Sequence, residues 1–224
     1  IHTSTDNLAL CQQAHVIVLS VKPQMMGDLV KSIAPAVDPS KQLVISVAAG
    51  ILASSIETWL GQPAAIVRCM PNTPSLVGLG AAGLYATTAV SDEQRATASH
   101  IMQAVGLTVW VNQEHQIDAV TAVSGSGPAY YFLMMEAMIQ GAEKLGLSTD
   151  IAQQLVLQTA AGAAKMAQQS SRTPAQLRQA VTSPNGTTEQ AINTFNEGNF
   201  NGLCGAAMAA AHHRSQELAQ LFKS

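Results

Sequence analysis

Charge is scarce in this chain. Of 224 residues only 11% are Asp, Glu, Lys or Arg, against roughly 25% in an ordinary globular domain. The net charge is −3 and no basic block occurs anywhere, which argues against nucleic acid as a partner. Aromatic residues make up 4%, so the apolar content is mostly Ala, Leu, Val, Ile and Met. No apolar run approaches the ~18 residues of a membrane span. The stretch 203–211 is too short and contains small side chains, so a membrane is not an expected partner either. The chain opens on Ile1, without Met, signal peptide or targeting segment. Cys11, Cys69 and Cys204 are its three cysteines; they lie far apart and form no C-x-x-C pair. That spacing fits reduced thiols in a cytoplasmic protein, not a disulfide framework or a zinc site. The six histidines show no metal-ligand spacing, and His212-His213 reads as a solvated helix face. No metal is expected.

Small apolar residues are abundant instead. Hydrophobic side chains reach 47%, more than so few charges would cover on a monomer, so part of the surface is expected to be hidden against another subunit. The length allows one large domain or two smaller ones. In the first half, apolar β-branched runs alternate with helical patterns. A helix over 6–13, N-capped near Thr5 or Asp6, precedes a strand over 16–21, and its unbroken apolar character predicts burial on both faces. A helix over 24–36, a strand over 43–47, a short helix over 54–60 and a strand over 65–70 follow. Then come a strand near 82–86, a helix over 92–105 and a strand over 107–111. This alternation predicts a parallel α/β sheet. From Ile117 on the pattern is helical throughout, through Ser124-Gly125-Ser126-Gly127-Pro128 to Phe222. Several helices are apolar on more than one face, as in 155–164, which predicts buried helices covered by a partner copy.

Ligands of an open parallel sheet sit beyond the carboxyl ends of its strands. Three such ends carry Ser20-Val21-Lys22-Pro23, Val47-Ala48-Ala49-Gly50 and Met70-Pro71-Asn72-Thr73-Pro74. Small residues in the second loop let a flat ring or ribose approach the backbone, and Lys22 is placed to face a phosphate. Three loops of this kind on successive strands point to a nucleotide crevice. The dinucleotide fingerprint is missing, however. A literal G-x-G-x-x-G, Gly78 to Gly83, follows a Pro-containing loop and runs into a strand, where the motif requires strand before and helix after. The glycine turn that would normally precede Asp6 is not in this sequence. Gly125-Ser126-Gly127 lacks the spacing of a nucleophile elbow, and no triad partner follows it.

Ser183-Pro184-Asn185-Gly186-Thr187-Thr188-Glu189-Gln190 is a turn running into a helix start. Pro184 fixes φ, while Asn185 and Gly186 tolerate positive φ. Thr187 and Gln190 have capping-box spacing. Backbone N–H groups and the hydroxyls of Ser183, Thr187 and Thr188 converge there, which suits a small anion such as a carboxylate.

Taken together, Ser20-Val21-Lys22-Pro23-Gln24, Val47-Ala48-Ala49-Gly50, Arg68-Cys69-Met70-Pro71-Asn72-Thr73-Pro74, Ala122-Val123-Ser124-Gly125-Ser126-Gly127-Pro128-Ala129-Tyr130 and Val181-Thr182-Ser183-Pro184-Asn185-Gly186-Thr187-Thr188 resemble Δ1-pyrroline-5-carboxylate reductase. The resemblance runs from about Asp6 to the C-terminus. It implies an α/β Rossmann-like domain over 1–113, N-terminally incomplete, followed by an all-α dimerisation and substrate domain over 114–224. It implies NADPH or NADH as cofactor, a homodimer or larger homo-oligomer, and reduction of a cyclic imine to L-proline. By that resemblance Asn7 lies near the adenosine ribose, Val21, Lys22 and Pro23 along the cofactor, and Ala48 and Ala49 near its nicotinamide half. Asn72, on the third loop, is counted with them. Ser183, Asn185, Gly186, Thr187 and Thr188 form the substrate loop, with Thr188 on the ring nitrogen, and Glu114 lies near the substrate. The family often has Gly-Gly where this chain has Asn185-Gly186, and Arg178-Gln179-Ala180 departs from its Lys-Asp pattern. Two other readings stay open: reduction of a related small imine or oxo acid, and a non-catalytic dimer with weak cofactor binding.

Overall fold

The computed structural model describes residues 2–222. The first helix, α1 (Asn7–Gln13), starts at Asp6, whose carboxylate accepts the Ala9 N–H at 3.1 Å. Strands and helices then alternate: β1 (Val16–Leu19), α2 (Pro23–Ile33), β2 (Leu43–Ser46), α3 (Ala53–Leu60) and β3 (Ala65–Met70). Pro23 occupies the first turn of α2, where its missing N–H has no partner to lose. Gly61 ends α3 at φ +72°, a left-handed conformation that glycine adopts without a Cβ clash.

β4 (Gly80–Ala86), α4 (Asp92–Gln103) and β5 (Gly106–Trp110) complete a five-stranded sheet in the order β1-β2-β3-β4-β5. β1, β2 and β3 are mutually parallel, but β4 runs antiparallel to β3 and β5 parallel to β4. The parallel sheet expected from the alternation is thus parallel at every pairing except β3 with β4. The reason lies in residues 71–79, which hold only a 3-10 turn at Thr73–Val77. A parallel return needs a crossover of about a dozen residues or more. The rejected glycine motif is this turn and strand. Gly78 closes the turn at φ +71°, and a Cβ on Gly83 would stand 2.6 Å from the Val120 methyls.

Alternate residues of the central strands feed two cores. Val44 and Ile66 face Met26, Val30, Ile56 and Trp59 from α2 and α3. Leu43, Ile45, Ala65 and Val67 face Leu84, Ala98 and Met102. Each such side chain, fully buried, contributes ~1.5–3 kcal/mol. β2 is buried throughout and β3 nearly so, as their sequences predict. β1 is not: Val18 is 46% exposed. Among the described residues β1 pairs with β2 alone, so only the Ile17 and Leu19 face is covered.

The helical part comprises α5 (Gln116–Val120), a π-helical turn at Thr121–Gly125, then α6 (Gly127–Lys144), α7 (Thr149–Gln169), α8 (Pro174–Ala180), α9 (Thr187–Glu197) and α10 (Phe200–Leu221). By packing, the chain forms two compact units. One contains the described residues up to Pro128 and those from Met208 onward; the other spans Ala129–Ala207. The sequence division at 113/114 falls inside the first. In the second unit Ala152 and Val156 are the buried side chains, while Phe132, Leu133, Leu155, Met166 and Leu203 are exposed. Within the chain itself these apolar faces are uncovered, and the reading of them assigned their cover to a partner copy. No helix among the described residues is long and apolar enough to cross a membrane.

Candidate active site

The parallel pairing of β1, β2 and β3 brings their carboxyl ends into line, with Leu19 beside Ser46 and Ser46 beside Arg68. The loops bearing Val21, Lys22 and Pro23, then Ala48 and Ala49, then Asn72 consequently share one edge of the sheet. Lys22 is exposed, Val21 and Pro23 half-buried and Ala48 buried. Gly50 turns at φ +74°, and a Cβ there would stand 3.0 Å from Leu218 Cβ of α10. Asn7 is exposed at the start of α1 and lines a cleft of about 250 Å³ with Cys11, Val18 and Leu19.

Asn72 is engaged at both ends of its side-chain amide. Its Nδ2 donates to the Ser124 carbonyl at 3.0 Å, and its Oδ1 accepts the Ala81 N–H at 2.9 Å. The partners fix the amide's orientation, since a flip would set like poles together. The same exit from β3 places Met70 against the π-helical turn, where a Cβ on Gly125 would lie 2.5 Å from Met70 Cε.

Glu114 is likewise committed within the protein. Its Oε1 accepts the Ala53 N–H at 2.7 Å and the Arg68 Nη1 at 3.0 Å. The carboxylate thereby caps α3, whose N-cap residue Leu52 has no side-chain acceptor, and neutralises a guanidinium that is 3% exposed. A cleft of about 680 Å³ beside it is lined by Glu114, His115, Asp118, His213 and Glu217. None of the expected cofactor residues lines that cleft.

The Ser183–Gln190 stretch belongs to the second unit. Asn185 is left-handed at φ +59°, and Gly186 is the N-cap of α9. Thr187 is therefore the first helical residue, and the capping box expected between Thr187 and Gln190 does not form. Glu189 instead reaches back past the N-cap: its carboxylate accepts the Asn185 N–H at 2.8 Å. The Gly186 N–H bonds the Ser183 carbonyl at 3.0 Å. Two of the donors expected to be free are thus in use. The N–H groups left open are those of Thr187, Thr188 and Glu189, the first turn that every helix leaves without intrahelical partners. Among the described residues the Thr187 and Thr188 hydroxyls make no hydrogen bond. Thr187 and Ser183 are exposed and Thr188 is half-buried.

A family model described as pyrroline-5-carboxylate reductase dimerisation matches residues 114–218. A second, described as NADP oxidoreductase coenzyme F420-dependent, matches residues 1–50. The pyrroline-5-carboxylate reductase of Pseudomonas aeruginosa is 55% identical over 96% of this chain and 78% of its own length. The chain belongs to the pyrroline-5-carboxylate reductase family. A solved pyrroline-5-carboxylate reductase from Coxiella burnetii superposes with a TM-score of 0.94 at 47% identity, covering 98% of this chain and 81% of that one. The Plasmodium falciparum enzyme, solved with NADP bound, superposes at 0.88 with 31% identity over 96% of this chain and 81% of its own.

Asp118 was not singled out by pattern reading, and Arg68 was read only as the start of the 68–74 motif. A lone Arg within the apolar run 65–70 was the available signal, because a buried guanidinium requires a carboxylate. Asp118 accepts the Ser215 hydroxyl at 2.6 Å; nothing in the sequence links residues so far apart.

Proposed function

We propose that the protein reduces 1-pyrroline-5-carboxylate to L-proline, with hydride from NADPH or NADH passing to the carbon of the C=N bond. The bound cofactor supplies the hydride. The protonated imine is already electrophilic, so the protein's part is positioning, charge stabilisation and exclusion of water. Val21, Lys22 and Pro23 lie along the cofactor, and Ala48 and Ala49 suit the nicotinamide half, where small side chains admit a flat ring. Asn7 is assigned to the ribose. The residues present fit these contacts.

On the substrate side, the N–H groups of Thr187, Thr188 and Glu189 hold the carboxylate, within the corner shaped by Ser183, Asn185 and Gly186. A helix N-terminus favours that negative charge. The Thr188 hydroxyl bonds the ring nitrogen. Glu114 acts on this reading through Arg68 and α3. The protein works as a homodimer or a larger homo-oligomer in the cytoplasm, and the apolar faces of Ala129–Ala207 are the surface that a second copy covers.

The observation that carries the reading is the start of α9, where three open N–H groups and an unengaged Thr188 hydroxyl converge in a member of this family. The test follows oxidation of NADPH or NADH with 1-pyrroline-5-carboxylate, piperideine carboxylate and 2-oxo acids. The expected result is turnover with the five-membered imine foremost. Preference for another substrate, or absence of cofactor binding, overturns the reading.

A further inference from the structure

In a continuous α-helix the Ser124 carbonyl would accept from the N–H four residues on. That residue is Pro128, which has none. The helix accordingly breaks: the Ser126 N–H bonds the Thr121 carbonyl in a π-type step at 2.7 Å, and α6 restarts at Gly127. The Asn72 amide stands in for the missing donor, 3.0 Å from the Ser124 carbonyl. Its other end accepts from Ala81, in β4. One side chain thus ties the break at 124–127 to both the exit of β3 and the neighbouring strand. A π-helical step is a frequent feature of functional sites, and this one is fixed to the sheet edge that carries Ala48 and Ala49.

We infer that Asn72 is a positioning residue for hydride transfer: it sets the Ser124–Gly127 turn against the sheet edge where the nicotinamide is bound, and does not itself hold the cofactor. The inference rests on the cofactor reading proposed above. A displacement of about 1 Å at a reacting centre costs on the order of a hundredfold in rate, so a clamp of this kind acts on turnover before it acts on affinity.

Pro128 makes the inference testable apart from stability. Asn72→Ala leaves the Ser124 carbonyl without a donor, lowering both melting temperature and kcat. Adding Pro128→Ala supplies an N–H at position 128. The double variant is expected to regain part of the lost melting temperature, since the Ala81 N–H still lacks its acceptor, but to keep kcat at least ~tenfold low, with the KM for NADPH changed less than ~twofold. The deuterium isotope effect with reduced cofactor labelled at the transferred position is expected to rise. Emission of bound NADPH, which reads the nicotinamide surroundings without turnover, is expected to differ between the double variant and wild type. Asn72→Asp keeps the acceptor for Ala81 but sets a carboxylate against the Ser124 carbonyl, and is expected to lose kcat likewise. Recovery of kcat and emission together with stability in the double variant overturns the inference and leaves Asn72 a structural bond alone. A raised KM for NADPH with kcat intact at saturation overturns it in favour of direct cofactor contact. An inactive wild type sinks the proposed activity, and the emission comparison still decides the clamp.

Discussion

Arg68 lies 3.0 Å from the Glu114 carboxylate, and the pair joins the middle of the sheet to the start of the segment that leads into α5. The arginine side chain is 4% exposed and the glutamate 26%. Removing the carboxylate strands a buried charge and also uncaps α3. Glu114→Ala is therefore expected to destabilise by about 3 kcal/mol, the low end for a broken buried pair because Glu114 retains some solvent. Glu114→Gln keeps an oxygen for Ala53 and should lose less. Replacing both partners with apolar residues, as in Arg68→Met with Glu114→Leu, should be milder than Glu114→Ala. Urea unfolding midpoints check all three. If Glu114→Ala changes KM for the imine without loss of stability, its place is at the substrate.

Thr188→Ala should lower kcat by roughly ten- to a hundredfold, the value of one hydrogen bond to a charged group, with the fold intact. Thr188→Ser should retain most of the rate, since it keeps the hydroxyl. Steady-state kinetics with circular dichroism separates the two. An unchanged rate in Thr188→Ala removes the residue from the mechanism.

Cys69 is buried in β3, and desolvation pushes its thiol from the ordinary 9.0 up to about 12. Between those values the unfolded chain loses a proton that the folded one retains, so stability falls as pH rises from about 9 toward 12. Below 9 the full contribution is present. The difference in unfolding free energy between wild type and Cys69→Ala should therefore shrink on going from neutral pH to above 10. Denaturant titrations at the two pH values measure it, and a pH-independent difference contradicts the burial argument. Cys11, also raised by burial, should resist thiol reagents until the protein unfolds.

Leu155→Glu and Phe132→Glu place charges on exposed apolar helix faces of Ala129–Ala207. If a second copy covers those faces, both should shift sedimentation toward monomer and lower the melting temperature. In a protein that is a monomer, both substitutions should be nearly silent.

The parallel strands were legible because apolar β-branched runs bounded by turn residues have few alternative readings. The helix ends were legible where capping chemistry was local, as at Asp6. The direction of β4 was available too, in the shortness of 71–79, but alternation alone pointed to a parallel return. Thr187 was misplaced as a cap because the left-handed turn at Asn185 shifts the helix start by one residue, and spacing cannot register that shift. Val18 looked buried because its type does not reveal whether a neighbouring strand exists. The commitments of Asn72 and Glu114 were out of reach for a different reason: their partners are mostly backbone groups, and Ser124, Arg68 and Ala53 are distant in sequence.

The bond from Ser215 to Asp118 and the seat of Leu218 on Gly50 bear on how the protein emerges from the ribosome. The sheet-bearing unit is therefore expected to close only when the last turns of α10 are available. At ~5–20 residues per second, everything from 129 to 207 is made while that unit stands open with its Asp118 carboxylate unanswered. Nascent-chain stalls before residue 215 should leave it protease-sensitive, and release past residue 219 should close it.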